Sequence, residues 1–437
     1  MKMTIIGGSR GLGRWMAEHL SGDFDITITS RDEQSGKAVA EELGVDYSSD
    51  NIEAVRDADI TLFCVPIEHM TSTIEDVAPH AKEGSLLMDV ASVKTDPSEA
   101  LKKYAPENAD ILPCHPMFGP RVPTLERQII VLAPVEGRSE KWFNRVYDYL
   151  TRADCEIVVT TPEEHDKYMS IVQGLTHFSY ITLASTIRKL NINVKKSRSF
   201  SSPVYTIMLD MVSRIVYQNP YLYYSIQKNN KEASKARDAL IKEGIYLSEL
   251  IEEGDEEDFV KSIVESAKHL DEHEDALIRS DKAIGMLTQK ANALTRMKGM
   301  EVGLRHQFSG NVHVGVVEKV RSDFVTIKNS NGGEITLKLS KVDIMSEEEL
   351  FEWKKNNLNL EHFTLRVLMP ASSEEKYLLG MFENIEPVVD VEIIDVCSGG
   401  KTDASKTVYT FRYSLFDNAD KGYVEDYIRG IGAVIMN

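Results

Sequence analysis

Residues 4–13 leave this chain the fewest choices. Thr4-Ile5-Ile6 reads as an apolar strand, Gly7-Gly8-Ser9-Arg10-Gly11-Leu12-Gly13 as a glycine loop, and Trp15, Met16, His19 and Leu20 then recur at helical spacing. Glycines between a strand and a helix let backbone N–H groups approach a pyrophosphate seated on the helix N-terminus. The loop departs from strict G-x-G-x-x-G, because Arg10 stands where the middle glycine belongs when the pattern ends on Gly13. Its meaning therefore depends on the neighbouring elements. Residues 24–29 alternate as a second strand, 32–43 have helical periodicity, and 60–65 form a fully apolar strand, which gives β-α-β-α-β. Further strands at 85–90, 110–114, 128–133 and 155–160, with a helix at 139–150, predict a single sheet continuing to about residue 160. The expected fold class over residues 1–160 is α/β, a doubly wound Rossmann-type dinucleotide-binding domain.

In open α/β sheets, ligands bind beyond the carboxyl ends of the strands, so the strand ends are read next. The second strand ends in Ser30-Arg31. A hydroxyl followed by a guanidinium suits the 2′-phosphate of NADP, with Arg10 as a second contact; the alternative is that Arg31 is a solvated cation and Asp32 binds the ribose. The third strand runs into Cys64-Val65-Pro66, so Val65 and Pro66 join Gly7, Gly8, Ser9, Gly11, Leu12 and Gly13 as candidate cofactor contacts. The next strand ends in Asp89-Val90-Ala91-Ser92-Val93-Lys94. From these residues alone, Ser92 reads as a helix cap near Pro97 and Lys94 as solvated. Pro113-Cys114-His115-Pro116-Met117-Phe118-Gly119-Pro120 differs in kind. Pro116 restricts His115 to extended backbone and Gly119-Pro120 turns the chain back, which pre-positions an imidazole at the crevice. His115 is the candidate catalytic base.

After residue 160 the pattern turns helical. Thr161-Pro162-Glu163-Glu164 combines an N-cap, a first-turn proline and a capping-box glutamate. Gln173 and His177 share a face of the long helix beyond it, whereas His165 sits about 120° around from His177 at 3.6 residues per turn. His165 is expected to hydrogen-bond locally. A second helix carries Tyr205, Met208, Met211, Val212 and Ile215, interrupted by Asp210 and Arg214 at i, i+4 spacing. Arg214, among apolar neighbours, is expected to be largely buried and therefore to need an anion, which a substrate carboxylate supplies. The bland reading is a surface Asp210–Arg214 pair. Helices are expected at 231–253, 256–269 and 274–297.

Taken together, these stretches resemble the prephenate dehydrogenases of tyrosine biosynthesis, a family that includes arogenate and cyclohexadienyl dehydrogenases. The matching residues, in the family's order over residues 1–230, are Gly7 to Gly13, Asp89 to Lys94, His115-Pro116-Met117-Phe118-Gly119, Glu164-His165-Asp166, Gln173-Gly174-Leu175-Thr176-His177-Phe178, Ser201-Ser202-Pro203-Val204-Tyr205, Met211-Val212-Ser213-Arg214 and Asn219-Pro220. The resemblance implies that His115 takes the proton of the substrate's ring hydroxyl and that Ser92, no longer a mere cap, hydrogen-bonds near that hydroxyl and the nicotinamide. It further implies that Arg214 clamps a substrate carboxylate and His177 lines the substrate side; Gln173 and Tyr223 complete the candidate substrate contacts. Where some members carry a second arginine eight residues before Arg214, this chain has Thr206. A homodimer is expected for the helical region, 161–305, by analogy with such dehydrogenases.

In the last third, residues 312–317, 324–327 and 334–339 give a small antiparallel β unit within a linker subdomain, 306–358, which a helix at 346–355 continues. Residues 359–437 then read strand (363–369), helix (373–384), strand (388–396), strand (407–415), helix (422–431), strand (433–436). This β-α-β-β-α-β order is ferredoxin-like. It resembles an amino-acid-binding ACT-type regulatory domain by element order alone, and an oligomerisation module fits equally; an aromatic amino acid, tyrosine first, is the candidate effector.

Composition narrows the partners. With 50 basic against 69 acidic residues, the net charge of −19 disfavours nucleic acid and anionic membranes. Cys64, Cys114, Cys155 and Cys397 have no metal-ligand spacing, so no metal is expected, and they read as buried thiols in a reducing compartment. The chain opens on a strand-like segment without a charged-then-apolar leader and no apolar run is long enough to cross a membrane, so a soluble cytoplasmic protein is expected. Two other readings stay open: a different NADP-linked oxidoreductase, such as a deazaflavin-dependent reductase or a 3-hydroxyacid dehydrogenase, and a ligand-sensing protein with a vestigial nucleotide fold.

Overall fold

The computed structural model describes residues 1–321, 323–386, 388–398, 405–417 and 419–436. They form two compact units, Met1–Asp275 and Ala276–Asn437.

The first unit begins with β1 (Lys2–Ile6), α1 (Gly11–Leu20), β2 (Asp25–Thr29), α2 (Glu33–Leu43), β3 (Asp46–Ser48), α3 (Asn51–Arg56), β4 (Ile60–Phe63), α4 (Ile67–Val77), β5 (Leu86–Asp89), α5 (Thr95–Tyr104) and β6 (Asp110–Ile111). Six parallel strands pair in the order β3-β2-β1-β4-β5-β6. Successive residues point to opposite faces. Ile5, Leu62 and Met88 enter one core, while Ile6, Phe63 and Leu87 enter the other, which explains why these strands are apolar throughout. Burying each such side chain stabilises the unit by about 1.5–3 kcal/mol. Strand order reverses between β1 and β4, so the ligand crevice lies over the glycine loop, the ends of β2 and β4, and the loop after β5.

The expected single sheet is two. Leu112 N still donates to Leu87 O at 3.0 Å, but Pro113 has no N–H to continue that ladder. The chain leaves, and β7 (Cys114–Pro116) pairs antiparallel with β8 (Ile129–Leu132), which runs parallel to β9 (Glu156–Val159) in a separate three-stranded sheet. The helix between β8 and β9, α6, is Phe143–Arg152, later than the expected 139–150. The short β3 and α3 carry too few apolar positions to be read from periodicity.

The helical part comprises α7 (Pro162–Met169), a π-helical turn (Ser170–Leu175), α8 (Thr176–Lys189), α9 (Val194–Ser197), α10 (Pro203–Val216), α11 (Pro220–Asn229), α12 (Lys231–Glu253) and α13 (Glu256–Leu270). Side-chain caps start most of them: Thr161, Ser202, Asn219, Asn230 and Asp255 each accept a backbone N–H of the first turn. Helix α12 stops at Gly254, at φ +77°. The capping box at Thr161 is not closed, because the Glu164 carboxylate accepts from Thr160 Oγ1 instead.

Most of α14 (His273–Arg296) belongs to the second unit. There β10 (Glu301–His306), β11 (Val312–Val320), β12 (Phe324–Lys328), β13 (Glu334–Lys338) and β14 (Val342–Ile344) form an antiparallel sheet in the order β13-β12-β11-β10-β14, two strands more than expected. After α15 (Glu347–Asn357), the elements β15 (Leu360–Pro370), α16 (Glu375–Glu383), β16 (Val388–Ser398), β17 (Lys406–Phe416), α17 (Lys421–Gly430) and β18 (Val434–Met436) give an antiparallel sheet in the order β16-β17-β15-β18. Helices α16 and α17 share one core with it through Leu378, Phe382, Val424 and Ile428; Phe382 stacks on Phe411 at 4.3 Å. Of the four thiols only Cys114 is buried; Cys64 and Cys155 are half-buried and Cys397 is exposed. Among the described residues, no helix is long and apolar enough to cross a membrane and no acidic, His or Cys cluster could hold a metal ion.

Candidate active site

The glycine loop is shaped for close approach. Gly7 has φ +87°, and a Cβ there would lie 2.9 Å from Cys64 O; a Cβ at Gly13 would lie 2.4 Å from Gly7 O. Side chains at either position would push the loop out of the crevice. The N-terminus of α1 has no side-chain cap at Arg10 and no acidic residue in its first turn, so its N–H groups are available to an anion. These residues fit a dinucleotide. At the end of β2, Ser30 Oγ contacts Ser9 Oγ at 2.8 Å and accepts from Asp32 N. Asp32 caps α2 through Ser35 N and pairs with Arg10 at 2.8 Å, which engages both carboxylate oxygens. Arg31 is exposed. Val65 lies against Gly7, and Pro66 precedes α4.

Behind the crevice, His115 is 3% exposed on β7. Its Nδ1 is 2.9 Å from His165 Nε2, and His165 Nδ1 is 2.8 Å from Asp166 Oδ1. Asp166 also accepts from Lys94 N at 2.8 Å and from Thr95 N and Oγ1 at 2.9 and 2.6 Å. Burial pushes the Asp166 carboxyl up, but the hydrogen bonds from His165, Thr95 and Lys94 N outweigh it and hold the group below its ordinary value. An ionised carboxylate only accepts, which orders the chain of protons. His165 Nδ1 donates to Asp166, which leaves His165 Nε2 to accept from His115 Nδ1 and His115 Nε2 with its lone pair. Gln173 Nε2 faces that atom at 3.5 Å. Burial first, then His165 and Lys94, hold His115 well below the ordinary histidine value, so it is neutral and poised to accept a proton.

The π-helical turn explains how α7 and Gln173 both reach His115. One extra residue per turn shifts helical phase by about 100°, which cancels the offset calculated for a regular helix. Gly174 sits in this turn against Ala233, where a Cβ would be 3.2 Å from Ala233 Cβ, and Gly174 O accepts from Gln227 Nε2 at 2.6 Å. His177, on α8, packs edge-on to Tyr223 at 4.6 Å, and burial lowers its affinity for a proton. His177 Nδ1 and Gln173 Oε1 are buried without a hydrogen-bond partner, as groups awaiting a ligand would be. Tyr223, buried, donates to Gln218 Oε1 at 3.0 Å.

Three expectations change. Arg214 is exposed, not buried, and makes no hydrogen bond or ion pair with a described residue; Asp210 pairs with Arg198 at 2.7 Å instead. Lys94 is fully buried rather than solvated, and Ser92 caps no helix, since α5 begins after Lys94 without a side-chain cap. His165 and Asp166, absent from the expected site, stand directly behind His115. The Glu164-His165-Asp166 stretch is the signal that points to them, but regular-helix phasing directs His165 elsewhere.

Comparison with known proteins divides the chain at the same place. The profile described as "Prephenate dehydrogenase, nucleotide-binding domain" matches residues 18–159, and "Prephenate dehydrogenase, dimerization domain" matches 161–265. A probable arogenate/prephenate dehydrogenase of Methanocaldococcus jannaschii is 38% identical over 434 residues, covering 99% of this chain and 95% of that protein. The T-protein of Haemophilus influenzae is 30% identical over 53% of this chain and 57% of its own length. Among solved structures, Aquifex aeolicus prephenate dehydrogenase in complex with hydroxyphenyl propionate and NAD+ superposes with a TM-score of 0.52 at 19% identity, over 62% of this chain and 96% of that one.

Proposed function

This chain belongs to the prephenate dehydrogenase family, and on that premise we propose that it catalyses oxidative decarboxylation of prephenate to 4-hydroxyphenylpyruvate. The observation that carries the reading is the buried chain Asp166, His165, His115, which turns the His115 Nε2 lone pair toward the Gln173 amide nitrogen at 3.5 Å, with the Gln173 amide oxygen buried and unpartnered. A nicotinamide cofactor, when bound, supplies the hydride acceptor. His115 Nε2 takes the ring-hydroxyl proton as hydride leaves the same carbon, and loss of the ring carboxylate as CO2 makes the ring aromatic. Ser92, half-buried after β5, orients the hydroxyl, and His177, Gln173 and Tyr223 line the substrate side. The protein's contribution is chiefly orientation, because aromatisation supplies the driving force.

Arg214 clamps a substrate carboxylate. Its exposure and lack of an ion-pair partner leave the guanidinium free to do so, and it acts electrostatically on Tyr223. Arg214→Ala should raise KM for the cyclohexadienyl substrate by about 10- to 100-fold, with a smaller change in kcat, as expected for loss of a charge-assisted contact. An unchanged KM would remove Arg214 from the site.

NADP is the preferred cofactor in this reading. Arg31 is exposed next to Ser30 at the end of β2, and Arg10, paired with Asp32 only at an exposed site, can turn to a 2′-phosphate. The helical region dimerises, which the exposed Ile241, Ile245, Val260, Ile263 and Val264 of α12 and α13 support. Residues 359–437 form a ferredoxin-like, ACT-type domain that binds tyrosine and inhibits; the order β16-β17-β15-β18 supports this. A titration with tyrosine that gives neither binding nor a change in rate would refute the regulatory role.

The deciding experiment assays purified protein against prephenate and arogenate, each with NAD and NADP. The largest kcat/KM is expected with prephenate and NADP, with CO2 released per cofactor reduced. Higher kcat/KM with arogenate would transfer the assignment to that substrate, and no reduction with either would defeat it.

A further inference from the structure

Lys94 is 0% exposed, as is its partner Asp89. Its ammonium pairs with the Asp89 carboxylate at the end of β5 and donates at 2.7 Å to Cys114 O, the carbonyl immediately before His115. Its main-chain N–H donates to Asp166 Oδ1, the oxygen that also receives His165 Nδ1. These contacts close a ring from the Lys94 side chain through Cys114, His115, His165 and Asp166 back to the Lys94 main chain.

Such a pair is a poor device for stability, because desolvating two ions costs about as much as their attraction returns. Here Asp89 Oδ2 is even left buried without a hydrogen-bond partner. A fully buried ion pair that is incompletely satisfied, one carbonyl away from the base, is better explained by function.

We propose that Lys94 is the positioning residue of the His115 base, holding at once the peptide on which the imidazole is mounted and the carboxylate that sets its tautomer. This rests on the reading of His115 as the base. The ionisable groups around the imidazole are Lys94 and Asp89 from the end of β5, His165 and Asp166 from α7, Cys64 beyond β4 and Cys114 beside it on β7. Of these, His165 first and then the Lys94 charge oppose a positive charge on His115. Removing it lets His115 protonate at higher pH.

The test uses Asp89→Asn/Lys94→Met, which removes both charges together so that no carboxylate is buried unpaired. kcat, kcat/KM against pH, and NADP affinity by cofactor fluorescence are compared with wild type. We expect NADP affinity within about threefold, kcat lower by about tenfold or more, and an acid limb of kcat/KM moved to higher pH. Asp89→Asn/Lys94→Gln, which restores a neutral donor towards Cys114 O, should recover part of kcat while the acid limb stays raised. A lysine that merely stabilises the fold would lower the thermal midpoint without the partial recovery of kcat in the glutamine variant. Wild-type kcat with an unmoved acid limb in both variants overturns the inference alone; a wild-type protein without dehydrogenase activity overturns it together with the functional reading.

Discussion

Replacing His115 by asparagine should lower kcat by about two to four orders of magnitude while cofactor affinity stays near wild type. Asparagine is smaller than the imidazole but keeps a polar atom near His165 Nε2, so the polar contact between β7 and α7 is preserved. It cannot accept and hold a proton at neutral pH. Because His115 is buried and its side chain hydrogen-bonds to His165 and Gln173, not to the glycine loop or to Ser30, NADP titration of the variant should match wild type within a fewfold. Near-normal turnover would show that another group takes the hydroxyl proton.

The second large effect is expected from Asp166→Asn, about two to three orders of magnitude in kcat, by the logic of a carboxylate that fixes a neighbouring imidazole's tautomer. The carboxylate receives four donors: His165 Nδ1, Lys94 N, Thr95 N and Thr95 Oγ1. Each oxygen meets two of these donors, so an amide there must turn its NH2 toward two of them. If it faces His165 Nδ1, His165 gives up the proton at that nitrogen, carries it on Nε2, and forces His115 to hold its own proton on Nε2, the atom that must be bare. If it faces Thr95, the tautomers survive but the contact to α5 is lost, and the thermal midpoint falls instead. Measuring kcat and the melting transition on the same preparation separates the two. A variant with normal kcat and normal melting would show that the tautomer is set elsewhere.

The parallel sheet was legible because strands covered on both faces are apolar at every position, as at Ile60 to Phe63, and because glycines and helix caps punctuate them. The break at Pro113 was visible as a proline but not as a change of sheet, which depends on pairing with the distant β8. His115 was legible from its two prolines, and the β-α-β-β-α-β order of the last third from alternation and turns. The relay behind His115 was not, because the π-helical turn at Ser170–Leu175 breaks the 3.6-residue phase on which helix-face reasoning rests. Arg214 misled in the opposite sense: apolar neighbours on α10 do not reveal that Asp210 turns to Arg198, nor that the arginine side chain reaches solvent. Lys94 gave no sign of burial, since a lysine at a strand end is usually solvated.

The pH dependence of kcat/KM for the dehydrogenase reaction tests the neutral, buried base most directly. Burial, His165 and Lys94 hold the folded-state proton affinity of His115 well below the ordinary histidine value of 6.5. The unfolded chain therefore takes up this proton first on acidification, and stability from this group is present above pH 6.5 and lost as pH falls toward the depressed value. Activity should track the same group: kcat/KM stays level through pH 6.5 and declines only below it, and the residual activity of His115→Asn lacks that limb. An acid limb at or above pH 6.5, or one that persists in His115→Asn, would contradict the assignment of His115 as the base.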